Sequence, residues 1–220
     1  MSSSQPSIFD RPAYGYPEAA AYVRLPYGTI KNWTSGAGLI VPCGPNNLSF
    51  NNLLELHILK SMRKVHNLSL QGVRKALKEL GKHYQSDHPL LHQSFETDGI
   101  DLFIRNADES IINLSRSGQH AIRDIVQLYL HRIGRDAQGV ATHLYPFVVT
   151  NTAKEPQHIS ISPKVSFGKS VLTGTGISTS VVAGRFAARD SISDLAREYG
   201  VSGKVIEDAI RWENPRLQAA

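Results

Sequence analysis

The chain has 220 residues, of which 41% are hydrophobic and 20% charged, a composition typical of a globular protein with room for two small domains. It has no apolar run of the length that a membrane-spanning helix needs, and its N-terminus lacks a signal-peptide pattern. Its one cysteine, Cys43, cannot form an internal disulfide or a multi-thiolate metal site. We therefore expect a cytoplasmic protein that holds neither a cofactor nor a metal.

The net charge of +5 is unevenly distributed. Residues 1–80 contain nine Lys and Arg against four Asp and Glu, which accounts for the whole excess, whereas residues 81–220 contain 15 of each. A basic patch is the electrostatic footprint of a protein that binds polyanions. The N-terminal part is therefore the candidate for a nucleic-acid partner.

The N-terminal pattern predicts two short helices joined by a tight turn. The first runs from Pro17 to Arg24, and the second begins at Thr29 and stops before the glycines at 36 and 38. Residues 39–42 and 48–50 then predict two strands around Cys43–Asn47, which suits a wing. Helices are predicted from Asn52 to about Val65 and from Ser69 to about Leu80. Ser69 is the expected N-cap of the last helix, and its expected buried stripe is Leu70, Val73, Leu77 and Leu80.

Four blocks in this region, residues 16–23, 29–33, 38–42 and 68–73, resemble the MerR-type winged helix-turn-helix over roughly residues 14–81. Two features depart from that family: Arg24 stands where such turns often have glycine, and the wing lacks arginines. The resemblance implies binding to double-stranded DNA, with the second helix in the major groove. The predicted DNA-contacting residues are Arg24, Tyr27, Thr29, Lys31, Asn32, Asn46 and Asn47.

Within this set, Thr29, Lys31 and Asn32 are expected at base edges, and Arg24, Lys31 and the wing amides at phosphates. Ile30 and Trp33 are expected in the core. The alternative is a helix-turn-helix that serves packing or protein contact instead of DNA binding.

The middle of the chain, residues 86–157, predicts a mixed αβ segment. Residues 100–104 and 110–114 flank a turn-forming stretch and predict a β-hairpin. Apolar residues at helical spacing predict a helix from Gln119 to about Arg132, and residues 140–149 predict a strand. The preceding stretch at 81–89, with His83 and His88, is interpreted as a solvated linker. Together with His92 these histidines are not expected to bind metal, because Pro89 interrupts the helix that would align them.

The C-terminal part, residues 158–220, predicts a small helical domain. A short strand at 159–161 and a glycine-rich stretch at 163–177 precede a helix from Ser180 to about Ala188. A second helix-turn-helix follows, with Ser191 as N-cap, Gly200 in the turn and a last helix from Lys204 to Glu213. With the winged N-terminal domain at 1–85, the expected fold class is α+β, mainly helical with small β elements.

The string at 167–177, with residues 190–192 and 195–201, closely resembles the domain of unknown function family numbered 433, over about residues 158–213. Such domains look like antitoxin components encoded beside a PIN-like ribonuclease toxin, and a MerR-like domain joined to one is similar to the longer VapB-type antitoxins. The resemblance implies a homodimer that silences the toxin and represses their shared promoter. The central segment would then form part of the dimer or toxin interface.

The basic residues near the second helix-turn-helix are balanced by a similar number of acidic ones, so this part would gain little from DNA phosphates. We expect it to contact a protein, either the toxin or a second copy of the chain. The predicted partner-binding residues are Arg185, Arg189, Arg211, Trp212 and Arg216. Since PIN-like sites are acidic, Arg211 or Arg216 is the arginine expected to insert into one.

No enzymatic activity is expected. Phe167–Ser170 ends like a phosphate-binding loop, but Pro163 occupies the position of the required first glycine. Gly174–Gly176 lacks the third glycine of a dinucleotide fingerprint. The remaining alternative to an antitoxin is a stand-alone MerR-type transcription regulator whose later segments sense a ligand or a partner.

Overall fold

A computed structural model describes residues 7–36, 38–63, 69–106, 116–148, 152 and 154–214. The chain divides into two compact units, residues 1–141 and 142–220. Both helices and small sheets are present, so the predicted α+β class is confirmed. The residues at 86–141, which the sequence places in a central segment, lie in the first unit. No helix among the described residues is long and apolar enough to cross a membrane.

The first unit opens with two helices joined by a tight turn, close to the predicted bounds. Helix α1 spans Tyr16–Val23 with Pro17 in its first turn, and α2 spans Tyr27–Thr34. The chain leaves α1 through Arg24, whose φ of 53° and ψ of 50° are left-handed. This conformation explains the preference for glycine at such turns, because a Cβ crowds the following carbonyl there.

The predicted wing hairpin is wrong. Strand β2, Asn47–Leu48, pairs antiparallel with β1, Tyr14–Gly15, and residues 39–42 form no strand. The amides of Leu39 and Ile40 donate to the carbonyl of Trp33, and the Val41 carbonyl accepts from the side chain of Asn52. Because these backbone groups are used locally, they are not available for a ladder with β2. The chain instead makes a compact turn at Gly44–Asn47.

Helix α3, Phe50–Arg63, is the central helix of the first unit. Its leucines and isoleucine from 53 to 59 are all buried, and so are Asn52, Glu55 and His57. Helix α4, Leu70–Tyr84, begins at the predicted cap, since Ser69 Oγ accepts from the Gly72 amide at 2.9 Å. Within the predicted stripe of α4 one member is wrong, because Leu70 is 51% exposed while Val73, Leu77 and Leu80 are buried.

The predicted hairpin strand at 100–104 is also wrong, because helix α5 spans Gly99–Asn106. Ile100, Phe103 and Ile104 are its buried residues, and their spacing of three and four is that of one helix face. The second predicted strand, residues 110–114, lies outside the described residues. Helix α6, Arg116–Leu130, agrees with the predicted helix, and a short strand, β3, Ile133–Arg135, follows it.

The second unit combines an antiparallel sheet with three helices. Its strands are β4, Ala141–Leu144, which begins at the unit boundary, then β5, Ile159–Ile161, and β6, Ser170–Leu172, in that order. Helices α7, Thr179–Ala187, α8, Ile192–Tyr199, and α9, Gly203–Glu213, lie close to their predicted bounds. Ser191 caps α8 by accepting from the Asp194 amide, and Gly200 ends it at a φ of 66°. The predicted strand at 140–149 is thus shorter, and residues 149–151 lie outside the described ones.

Candidate nucleic-acid interface and partner surface

The outward side of α2 presents most of the residues predicted to contact DNA. Tyr27, Lys31 and Asn32 are exposed and Thr29 is half-buried, whereas Ile30 and Trp33 are buried as expected. At the C-terminal end the hydroxyl of Thr34 donates to the carbonyl of Ile30 at 2.9 Å, which closes the helix. The arrangement therefore presents a hydroxyl, an ammonium and an amide on an eight-residue helix, the donor types that reach base edges and phosphates.

The other predicted DNA-contacting residues lie on turns. Arg24 is half-buried at the end of α1, one residue before the turn that leads to α2. Asn46 and Asn47 are exposed on the turn before β2, Asn46 at a φ of 57°. The amide of Asn47 donates to the Pro45 carbonyl at 3.2 Å, so part of its hydrogen-bonding capacity is used within the turn.

The histidine-rich stretch is not the solvated linker that the sequence indicates. Nδ1 of His88 lies 2.9 Å from Oε2 of the buried Glu55, and Nε2 lies 3.2 Å from Asp10 Oδ1. The ring of His92 stacks on Tyr84 with centroids 4.1 Å apart. His88 thus joins three separated stretches of the first unit. A single chain gives no pattern for such a contact, because 33 residues separate His88 from Glu55.

The titratable groups of this cluster are shifted by burial and by one another. Burial raises the pKa of Glu55, with the contacts to His88 opposing that effect. The pKa of His88 is raised, since burial lowers it but its bond to Glu55 and the nearby Asp10 more than offset that. Among the described residues, no group of three or more His, Cys, Asp or Glu side chains is placed to hold a metal ion.

In the second unit, two of the residues predicted to bind a partner use their charge internally. Nε of Arg185 donates to Asp190 at 2.6 Å, and its Nη1 donates to Glu198 and to the Tyr199 hydroxyl. These contacts, with that to Glu198 first, raise the pKa of Arg185. Arg211 contacts Asp208 at 3.3 Å and Glu207 at 3.5 Å.

The remaining predicted partner residues differ in accessibility. Trp212 is buried in the second unit at 4% exposure, whereas Arg189 is exposed just after α7 at a φ of 81°. Arg216 lies outside the described residues. The structure therefore places the five predicted residues in different settings, and of the four described it leaves Arg189 the most accessible.

The exposed apolar residues of the second unit were not among the sequence predictions. Phe167 is 96% exposed, and Val181 and Phe186 on α7 are 50% and 40% exposed. Phe167 adopts a left-handed conformation with a φ of 54°, and Ser166 before it has a φ of 46°. The Ser166 hydroxyl donates to the Gly176 carbonyl at 2.9 Å, which helps hold this loop. An aromatic side chain in a run of Ser and Gly was the available sequence indication.

Comparisons with known proteins bear on both units. Residues 159–212 match the family model described as "Protein of unknown function (DUF433)", as the C-terminal motif predicts. The chain is 25% identical, over 92% of its length and 94% of the relative, to a protein of Mycobacterium tuberculosis (strain ATCC 25618 / H37Rv) named "Putative antitoxin VapB45". It is 26% identical to "Uncharacterized protein Rv2308" of the same strain, over 97% of each.

One solved structure shows a similar fold. The X-ray crystal structure of Rv2018 from Mycobacterium tuberculosis matches with a TM-score of 0.72 and 24% identity, covering 93% of this chain and 100% of that one. The similarity therefore extends through both units. The MerR-like character of the first unit stays a prediction from its sequence blocks.

Proposed function

We propose that this protein is the non-enzymatic antitoxin of a toxin–antitoxin pair. Its second unit binds and silences a PIN-like ribonuclease toxin, and its first unit binds the duplex of their own promoter as part of a homodimer. The observation that carries the proposal is the similarity, along 92% of the chain, to a protein named "Putative antitoxin VapB45". The charge distribution supports the division of labour, because the net charge of +5 lies in residues 1–80.

The toxin-binding role rests on the surface of the second unit. Phe167 is almost fully exposed on left-handed backbone, a conformation that costs a residue with a side chain roughly 1–2 kcal/mol. A solvated aromatic held in this way resembles the anchors that carry binding energy at protein interfaces. Arg189 is the accessible cation beside α7 and suits the acidic site of such a toxin.

The direct test is co-expression with the ribonuclease gene encoded beside this one. We expect the ribonuclease alone to stop growth and cleave RNA, and the protein to restore growth. Phe167→Ser should weaken the complex at least tenfold, and Val140→Ser, which removes an exposed apolar side chain from the first unit, is the matched control. Equal affinity of the two variants would remove Phe167 from the toxin interface. A neighbour without toxicity would contradict the antitoxin role.

The hypothesis of an inserted arginine is tested separately. Arg211 already contacts two carboxylates, so insertion into an acidic toxin site requires these contacts to be exchanged. An Arg211→Ala, Arg216→Ala double variant should neutralise the toxin less well while its binding to promoter DNA stays unchanged. Full neutralisation by this variant would exclude both arginines from the blocking role.

The DNA-binding role is tested by titrating the full chain against its own upstream promoter. If a dimer neutralises about six phosphates, log K should fall against log[salt] with a slope of about −5. Lys31→Ala should make that slope shallower by about two per dimer, and Asn32→Ala should reduce the preference for the promoter over a scrambled duplex. Binding that is unaffected by both changes would move the contact away from α2.

A further inference from the structure

The first unit lacks the wing that would flank α2, yet its excess positive charge has to lie somewhere. Helix α4 carries four exposed cations and one acid, Glu79. The acid is paired with Lys82, whose Nζ lies 2.7 Å from its Oε1. The other three cations have no carboxylate within ion-pair distance among the described residues: Arg74, Lys75 and Lys78. This set is here named the α4 basic face.

The basic face is confined to one side of the helix. At 3.6 residues per turn, the α4 basic face and Lys82 fall within an arc of roughly 100°, opposite the buried residues of the same helix. From Arg74 to Lys82 the helix rises by roughly 12 Å, a length over which one DNA strand presents about three phosphates. The spacing of the cations thus fits a row of phosphates along one strand.

The surroundings of the basic face place it beside the segment that follows α2. Arg74 and Lys78 line a surface cleft of about 440 Å³ whose opposite side is Gly38–Val41. The amides of Leu39 and Ile40 in that segment are bonded to Trp33 near the end of α2. The carboxylates of Glu55 and Asp87 also line the cleft, and Glu55 is bonded to His88. The basic face therefore lies at the edge of the element that is proposed to enter the major groove.

The charge arrangement on α4 is unfavourable in the free protein. Arg74 and Lys78 are four residues apart, as are Lys78 and Lys82, and like charges at that spacing destabilise a helix by about 0.2–0.5 kcal/mol per pair. Surrounding cations also hold the pKa of Glu79 below its usual value, chiefly through the hydrogen bond from Lys82. A polyanion would remove this repulsion and release its own counterions in the process.

We infer that the α4 basic face binds the sugar–phosphate backbone of the duplex beside the groove that α2 occupies, in the role that a wing would otherwise fill. The inference rests on the proposed binding of promoter DNA by α2 and adds a second contact element. Its contacts are to phosphates, so they strengthen binding to any duplex without reading sequence.

The test compares the salt dependence of duplex binding by four forms of the full chain. These are the wild type, Arg74→Ala/Lys75→Ala/Lys78→Ala, the α2 double variant Lys31→Ala/Asn32→Ala, and a control that removes three exposed cations elsewhere: Arg105→Ala/Lys154→Ala/Arg197→Ala. Alanine is the best helix former, so α4 should be retained, which circular dichroism and thermal unfolding can verify. Each form is titrated with promoter and scrambled duplexes at several salt concentrations.

We expect the α4 triple variant to have a slope of log K against log[salt] that is shallower by two to three per protomer, at about 0.9 per lost phosphate contact. The loss should be equal for promoter and scrambled duplexes, and the control should retain the wild-type slope. An unchanged slope in the α4 variant, with binding still weakened by the α2 changes, would overturn this inference and leave the proposed function standing. A wild type that binds neither duplex at low salt would overturn both.

One further outcome identifies a different occupant. If the α4 triple variant binds DNA as the wild type does but no longer neutralises the toxin, the basic face belongs to an acidic protein surface, and the inference is wrong.

Discussion

The two units use their cations in different ways. In the first unit, the exposed cations of α2 and α4 have no acidic partner within reach among the described residues, with Lys82 excepted. In the second unit, most of the cations around α7, α8 and α9 contact carboxylates of the same unit: Arg185, Arg197, Lys204 and Arg211. Unpaired cations gain free energy from a polyanion through counterion release, whereas paired cations must first give up an existing contact.

This difference bears on partners more than net charge does. The second unit contains arginines in number, yet its internal pairs leave an outer surface on which Phe167, Val181 and Phe186 are the exposed large apolar residues. The first unit exposes cations on two neighbouring helices instead. The contrast is what would be expected if one unit contacts nucleic acid and the other contacts protein.

The largest expected effect separates the two units by stability. Trp212 is buried at 4% exposure, so Trp212→Ala should destabilise the second unit by about 3–5 kcal/mol. Neutralisation of the toxin should then be lost while promoter binding persists, as thermal unfolding and DNA titration can measure. Arg197→Ala, an exposed change on α8, should alter neither property. Equal loss of DNA binding in the Trp212 variant would contradict the division of function between the units.

A second effect concerns acid and is confined to the first unit. Burial lowers the pKa of His57 to about 3, while its Nε2 donates to the Tyr129 carbonyl at 3.2 Å and the nearby cations Lys60 and Arg132 add to the lowering. The unfolded chain therefore binds this proton more readily than the folded one between pH 6.5 and 3. Stability from this group is complete above pH 6.5 and falls as the pH is lowered, by about 2 kcal/mol at pH 5.

The measurement is the difference in free energy of unfolding between the wild type and His57→Gln at pH 7.5 and at pH 5. Glutamine retains an amide donor but does not titrate, so the other shifted groups, Glu55 and His88, cancel in the difference. The wild type should lose more stability than the variant over this range. A difference that stays constant with pH would show that His57 is not held neutral by the fold.

The smallest effect compares two helix ends. Helix α4 ends on Gln85 at a φ of 50°, and α8 ends on Gly200 at a φ of 66°. Gln85→Gly should relieve strain and stabilise the protein by about 1 kcal/mol, whereas Gly200→Ala should destabilise it by about as much. A Cβ at Gly200 would meet no neighbour within 4 Å, so its backbone conformation is the cause under test. Thermal midpoints should shift in opposite directions by about 2–4 °C, and shifts of the same sign would refute the argument.

Local patterns were sufficient to predict most helices of both units. Pro17 begins α1, Ser69 caps α4, and Ser191 with Gly200 delimits α8, because each of these residues acts on backbone groups within a few positions. The spacing of Ile122, Val126 and Tyr129 likewise predicts the buried side of α6. On α2, the division between buried Ile30 and Trp33 and exposed Lys31 and Asn32 follows from the same periodicity.

The wrong predictions involved elements whose conformation depends on distant partners. The run at 100–104 is short and apolar, a pattern that does not distinguish a buried strand from one face of a helix such as α5. For the candidate sites, the sequence identified the basic part of the chain but not which cations are free. Arg185 meets Glu198 across 13 positions, and Glu55 meets His88 across 33.

The sequence by itself therefore determined the local order of the chain: where the helices begin and end, which part carries the positive charge, and that residues 159–212 belong with a known domain type. The tertiary structure alone decided that β2 pairs with β1 instead of forming a wing, that His88 joins Glu55, and that Arg74, Lys75 and Lys78 stay unpaired. The physical reason is range. Caps and periodicity act within one or two helical turns, whereas strand pairing and ion pairing join groups that only the folded chain brings together.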